Sequence, residues 1–163
     1  MFGQSYKEFD AAEAGKLVSE FIKLDDKTKS KIRVALDRLN LALRRSYLGD
    51  TAIDICIALE SIVGGNETNE VTHKVTTRTV KLLGGNMASR MTNRDIVKAA
   101  YNYRSGMVHN GQEPKGEKSV NGVKTSADNI LAKAIVICAD VIKIILRDGK
   151  IPEWQNFDIA LEE

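Results

Sequence analysis

The chain has 163 residues and a mass of 18.0 kDa, 43% apolar and 28% charged, which suits one domain with a single core and leaves little material for a second. Lys and Arg total 24 against 22 Asp and Glu, so the formal charge of +2 does not mark a nucleic-acid binder, and any such role must come from local clustering. No apolar run approaches the roughly 18 to 20 residues that cross a bilayer, and Met1-Phe2-Gly3-Gln4-Ser5-Tyr6-Lys7-Glu8 lacks a secretory layout, so the expectation is a cytoplasmic protein without a membrane partner.

Helical periodicity runs through nearly the whole sequence. Asp10 to Leu24 carries Leu17, Phe21 and Leu24 at helical spacing. Asp26 is placed to cap a second helix, in which Ile32, Leu36, Leu39 and Leu43 recur until Gly49. Asp50 opens a third with Ile53, Ile57, Leu59 and Ile62, stopped by Gly64-Gly65. Glu70 to Leu83 is rich in β-branched residues that suit a strand, yet its length and the Val71, Val75, Arg78, Leu82 spacing favour a helix. Thr92-Asn93-Arg94-Asp95 reads as a capping box, so a fifth helix should start near Asn93 and finish at Asn110-Gly111. A polar loop spans Asn110 to Gly122. Thr125-Ser126-Ala127-Asp128 then caps a last long helix reaching Arg147, and the tail from Ile151 to Glu163 folds back through Trp154, Phe157, Ile159 and Leu161. The architecture expected is an all-α up-and-down bundle with a short C-terminal tail, one domain over 1–163 with its core at about 26–148.

Cys56 and Cys138 both lie in apolar segments and are expected as reduced core thiols. With His73 and His109 isolated from each other and from the cysteines, no ligand spacing for zinc is present, so neither metal nor cofactor is expected.

The candidate chemistry lies in Tyr101-Asn102-Tyr103-Arg104-Ser105-Gly106-Met107-Val108-His109-Asn110-Gly111. At about 100° per residue, Ile96, Ala100, Tyr103 and Met107 share one side of the fifth helix, while Lys98, Asn102, Ser105 and His109 share the other. Arg104 flanks the buried side, about 140° around the helix from His109. The two side chains meet only if the helix loosens at Asn110-Gly111 or a second copy completes the site; a symmetric dimer facing fifth helix to fifth helix would bring two arginines and two histidines around one cleft.

Such a cleft suits attack of a ribose 2′-hydroxyl on the adjacent phosphate. Histidine moves protons near neutral pH, and a permanently charged guanidinium offsets charge growing on the phosphorane oxygens. Tyr101 and Ser105 are assigned assisting contacts to RNA, and Arg94, Lys98, Asn102, Lys115 and Lys118 the guidance of its backbone; Tyr103 is assigned to the core. Glu60, late in an apolar helix, needs a partner if buried, and Arg104 is the candidate. Taken on spacing alone, an Arg104–Glu60 ion pair with no part in chemistry is the favoured reading, since an arginine and a histidine five apart occur by chance in many helices.

These residues resemble a known family. Tyr103-Arg104-Ser105-Gly106-Met107-Val108-His109 is similar to the helix-terminal signature of HEPN domains, the Apea-like group in particular, with Tyr101 aligned to its leading tyrosine. Arg38-Leu39-Asn40-Leu41-Ala42, then Asp54-Ile55-Cys56-Ile57-Ala58-Leu59-Glu60-Ser61-Ile62, and Val75-Thr76-Thr77-Arg78 resemble that group's preceding segments, so the likeness spans about Lys29 to Leu146. It implies a helical homodimer with a composite cleft. It also implies a metal-independent endoribonuclease leaving a 2′,3′-cyclic phosphate, acting in a toxin–antitoxin, antiphage-defence or related RNA-targeting setting beside an antitoxin or associated domain, with Arg104 and His109 as the catalytic pair. Ser105 departs from the Asn, Asp or His that many nuclease members carry there. The group also occurs as the C-terminal domain of longer proteins, and some members bind RNA, nucleotide or a partner protein without cutting. A non-catalytic module is therefore the alternative reading.

Overall fold

The computed structural model describes residues 10–66 and 69–160. It is an all-α bundle: α1 (Ala11–Lys23), α2 (Asp26–Ala42), α3 (Leu48–Val63), α4 (Val71–Leu83), α5 (Met87–Asn110), α6 (Ala127–Asp148) and α7 (Trp154–Ile159). A two-stranded antiparallel hairpin, β1 (Glu117–Val120) and β2 (Val123–Ser126), interrupts the helices between α5 and α6. The hairpin lies where a plain loop was expected, because its residues are mostly polar and its fold depends on Asn121 and Gly122, both at positive φ in the turn.

Helix α3 is the hub, packed against α2, α4, α5 and α6. Its side chains are apolar almost all round, and Ile55, Leu59 and Ile62 are fully buried. Each such side chain contributes about 1.5–3 kcal/mol of apolar burial. Ile130, Leu131, Val141 and Ile145 of α6 and Val97 of α5 close the same core, which also holds Cys56 and Cys138 as free thiols. Burial pushes the Cys138 thiol up to about 12 and the Cys56 thiol higher still.

Several boundaries differ from those read in the sequence. Asp25, not Asp26, caps α2, its carboxylate accepting from the Thr28 amide at 3.0 Å. Helix α3 begins at Leu48, so Gly49 is its second residue rather than a stop. Helix α5 begins at Met87, about two turns earlier than the Thr92 box implied, because Asn86 caps it by accepting from the Ser89 amide at 2.9 Å. Thr92 instead turns its hydroxyl back on the Ala88 carbonyl at 2.9 Å inside that helix. Leu36 and Leu43 stay exposed despite their helical spacing. The tail docks through Trp154, while Ile159 is exposed and Leu161 lies outside the described residues.

Two ion-paired groups stitch the bundle. Asp54 of α3, 1% exposed, accepts from Arg38 at 3.0 Å and from Arg45 at 2.7 Å. Arg78 of α4, 3% exposed, donates to Asp158 of α7 through Nε at 2.9 Å and Nη2 at 2.7 Å, and through Nη1 to the Val63 and Gly64 carbonyls at 3.0 and 2.9 Å. The last carbonyls of α3, which no helical amide reaches, are thereby satisfied by a side chain. The Trp154 ring lies 4.9 Å from the same guanidinium.

The Arg78 hydrogen bonds, with its charge, hold the Asp158 carboxyl below the ordinary range. A group depressed in the fold contributes stability above its unfolded pKa, about 3.9 for Asp, and loses it as pH falls through the lower folded value. Asp158→Asn should therefore lower the denaturation midpoint at pH 7, and its gap from the wild-type protein should close as the pH falls below that range. Urea titrations across the acid limb measure this; a gap independent of pH would dissociate the pair from stability.

Candidate functional site

Helix α5 is regular for 24 residues and ends on Gly111, whose positive φ of 62° lets its amide close onto the Met107 carbonyl at 2.9 Å. Gln112 adds a bond to the Gly106 carbonyl at 3.2 Å. The helix does not loosen at Asn110-Gly111. Arg104 and His109 therefore keep the angular separation of an ideal helix, about 140°, and an axial offset of about 7.5 Å. One chain does not bring them together.

His109 is exposed in the last turn of α5, on the outward stripe that also carries Lys98, Asn102 and Ser105, all exposed. Arg104 is half-buried on the flank facing α3, close enough to Cys56 and Tyr101 for its charge to favour their ionised forms. Glu60 is half-buried in the same neighbourhood and acts on both groups with the opposite sign. Arg104 and Glu60 are not joined by an ion pair within 4.0 Å, so the direct pair expected from sequence is not formed within the chain.

Tyr101 corrects another expectation. It is 4% exposed and its buried hydroxyl lies toward the Glu60 carboxylate, so within one chain it is not available to stack a base or to reach a phosphate. Burial above all, with Cys56 and Glu60 adding to it, drives its pKa far upward, and it stays a neutral phenol. Tyr103 is in the core as expected, its ring covered by the Lys118 ammonium at 5.1 Å from the centroid.

Three of the residues assigned to RNA do converge. Asn102, Lys115 and Lys118, with Tyr103, Gly106, Gln112, Glu113 and Pro114, line a cavity of about 380 Å³ between α5 and the segment that follows it. Arg94 is exposed and pairs with Asp95 at 2.9 Å. The second Asp95 oxygen accepts from the Asn121 amide at 2.9 Å, which fixes the hairpin turn against α5. Burial acts upward on Asp95, but the Asn121 amide and Arg94 outweigh it and keep the carboxylate ionised.

Sequence reasoning passed over Glu113. Its carboxylate accepts from the Gly49 amide at 2.9 Å and so caps the start of α3, where Tyr47 offers no side-chain cap. A Cβ at Gly49 would sit 2.7 Å from the Met107 sulfur and 2.9 Å from the Glu113 carboxylate. The glycine thus gives the Met107 and Glu113 side chains room beside the start of α3, a signal that looked like a helix stop. Among the described residues no group of three or more His, Cys, Asp or Glu side chains could hold a metal, and no helix is long and apolar enough to cross a membrane.

Compared with family models, with curated proteins and with solved structures, the chain has no match.

The exposure of His109 and the absence, among the described residues, of an ion pair at Arg104 set an expectation for stability. His109→Ala should leave the thermal midpoint unchanged within about 0.5 kcal/mol, as for exposed substitutions. Arg104→Ala should cost only about 1 kcal/mol, through weaker packing of its stem, rather than the roughly 3–5 kcal/mol of a broken buried pair. Denaturant melts of the two variants measure both; a loss in the higher range for Arg104→Ala would require a partner that the geometry lacks.

Proposed function

We propose that this protein is a homodimeric, metal-independent endoribonuclease of HEPN type, in which Arg104 and His109 act on one RNA phosphodiester across a composite cleft. The observation that carries this reading is the placement of His109: exposed in the last turn of α5, on the same helical stripe as Asn102, which lines a cavity with Lys115, Lys118 and Glu113. A histidine there can take or give a proton, and the exposed Lys115, with Lys118 over the Tyr103 ring beside it, can meet phosphate oxygens.

In the reaction the imidazole of one His109 takes the proton of a ribose 2′-hydroxyl as its oxygen attacks the adjacent phosphorus. The second His109, protonated, delivers a proton to the departing 5′ oxygen. Arg104 balances the charge on the phosphorane oxygens. The products are a 2′,3′-cyclic phosphate and a free 5′-hydroxyl, and the need for the 2′-hydroxyl confines the chemistry to RNA. Acid–base help of this kind is worth about 10² to 10⁴ in rate. Ser105, exposed one residue after the arginine, is in place to touch a phosphate, whereas Tyr101 serves packing. The setting proposed is a cytoplasmic RNA-targeting system with an antitoxin or associated domain as partner.

One observation favours a second reading. Arg104 and His109 diverge within a chain, so a protein that stayed monomeric would hold RNA, a nucleotide or a partner protein without cutting. Incubation of the purified protein with single-stranded RNA in chelator separates the two. Cutting to cyclic-phosphate ends, abolished in His109→Ala with the fold intact, supports the nuclease; binding without cutting by wild-type protein supports the module, and equal cutting by the variant would betray a contaminant.

A further inference from the structure

A second concave surface lies between α4 and α5, with a volume of about 480 Å³ and no carboxylate in its lining. His73 on α4 and Arg90, Arg94 and Lys98 on α5 contribute its basic groups, and Met87 and Met91 form an apolar floor, Met87 being 72% exposed. Lys81, at the same groove, points its ammonium at the Phe157 and Ala160 carbonyls, neutral acceptors that leave its charge in place. Arg90 donates through Nε to the Gly85 carbonyl at 2.8 Å. Arg94 is partly offset by Asp95, and Lys98 and His73 are exposed.

This surface continues the stripe that ends in His109. Met91, Lys98, Asn102 and His109 lie within about 40° of one another around α5. Lys98 is about 16 Å along the axis from His109, and Met87 about 33 Å. At about 3.4 Å per stacked nucleotide, the stripe and the groove together span about ten nucleotides.

We infer that the α4–α5 groove is a second RNA-binding site that holds single-stranded RNA to one side of the scissile phosphate. The inference rests on the RNA reading of His109 and adds to it His73, Met87 and Met91, which that reading does not use. Phosphates would lie against Lys98, Arg94 and His73, and the polarizable thioethers of Met87 and Met91 would cover base faces. An acidic protein segment would satisfy the same charge. The alignment with His109 along one helix favours RNA, since a strand bound at the scissile phosphate runs on into a lining that carries cations and no carboxylate. A dimer joined through the C-terminal ends of α5 leaves the groove open in each copy.

The test uses the full chain carrying His109→Ala, so that RNA is not consumed, with fluorescein-labelled oligouridylates of 5 and 12 nucleotides followed by anisotropy. The longer RNA should bind at least tenfold more tightly. Adding His73→Glu and Thr77→Glu, both exposed in the groove, should remove that advantage to within about twofold, with circular dichroism unchanged. Affinity for the 5-mer should stay the same, and the salt slope for the 12-mer should flatten by about 0.7 for each phosphate that the variant no longer neutralises. Equal binding of both lengths, or a length advantage that survives the charge reversal, overturns the groove assignment and leaves the nuclease reading standing if wild-type protein cuts RNA. Binding of neither length overturns it as well, and the cutting assay then judges the nuclease reading by itself. A glutamate-rich amphipathic 16-mer peptide that binds in a reversal-sensitive way, where RNA does not, would hand the groove to a protein partner.

Discussion

The unbroken pitch of α5 is the constraint on which everything at the site depends. Because the helix runs regularly from Met87 to Asn110 and is closed by Gly111 in the left-handed conformation, every side chain on it has a fixed bearing. Arg104 is held toward α3 and His109 is held toward solvent, with no residue between them able to swing either one round. In the proposed chemistry a phosphate touched by both is approached from two sides, the second supplied by another copy of the helix. Symmetry is thus a requirement of the proposed chemistry rather than an addition to it.

The rest of the bundle makes that bearing rigid. Helix α3 is buried against four neighbours, its start is capped by Glu113 from beyond the end of α5, and its final carbonyls are taken by Arg78. Gly49 allows Met107 and Glu113 to come close enough for this to happen. The segment carrying Lys115 is therefore tied at one end to the hub and, through Asn121 and Asp95, at the other end to α5. Cations that would otherwise sway on a free loop are presented as a wall of the cavity beside the α5 stripe, with less ordering left to lose when RNA binds.

The helices were legible because their apolar spacing is strong: α1, α4 and α6 lie within a residue or two of where periodicity places them, and even the β-branched α4 yielded to its length. The starts of α2 and α5 were not, since Asp25 and Asp26 are equally good caps on paper and Asn86 competes with the Thr92 box; only the surrounding packing chooses between them. The hairpin was invisible because its polar residues have no alternation to read. At the site, the outward bearing of Lys98, Asn102, Ser105 and His109 followed directly from helical geometry. The burial of Tyr101 did not, because it lies at the edge of the apolar face, where a few degrees of helix packing decide between core and surface. Glu113 and Asp158 act across 64 and 80 residues, respectively, and no local pattern announces such partners.

The claim that two chains share one reaction centre is tested most directly by mixing two dead variants. Arg104→Ala and His109→Ala proteins, each inactive on single-stranded RNA in chelator, are combined, allowed to exchange subunits and assayed again. The mixed dimer keeps one arginine and one of the two histidines in its cleft, so one of the two proton transfers is retained and cleavage to 2′,3′-cyclic phosphate ends should return above the level of either variant, about 10² to 10⁴ below the wild-type rate for want of the second transfer. A mixture as inactive as its components, under conditions where subunit exchange is demonstrated, would contradict the account.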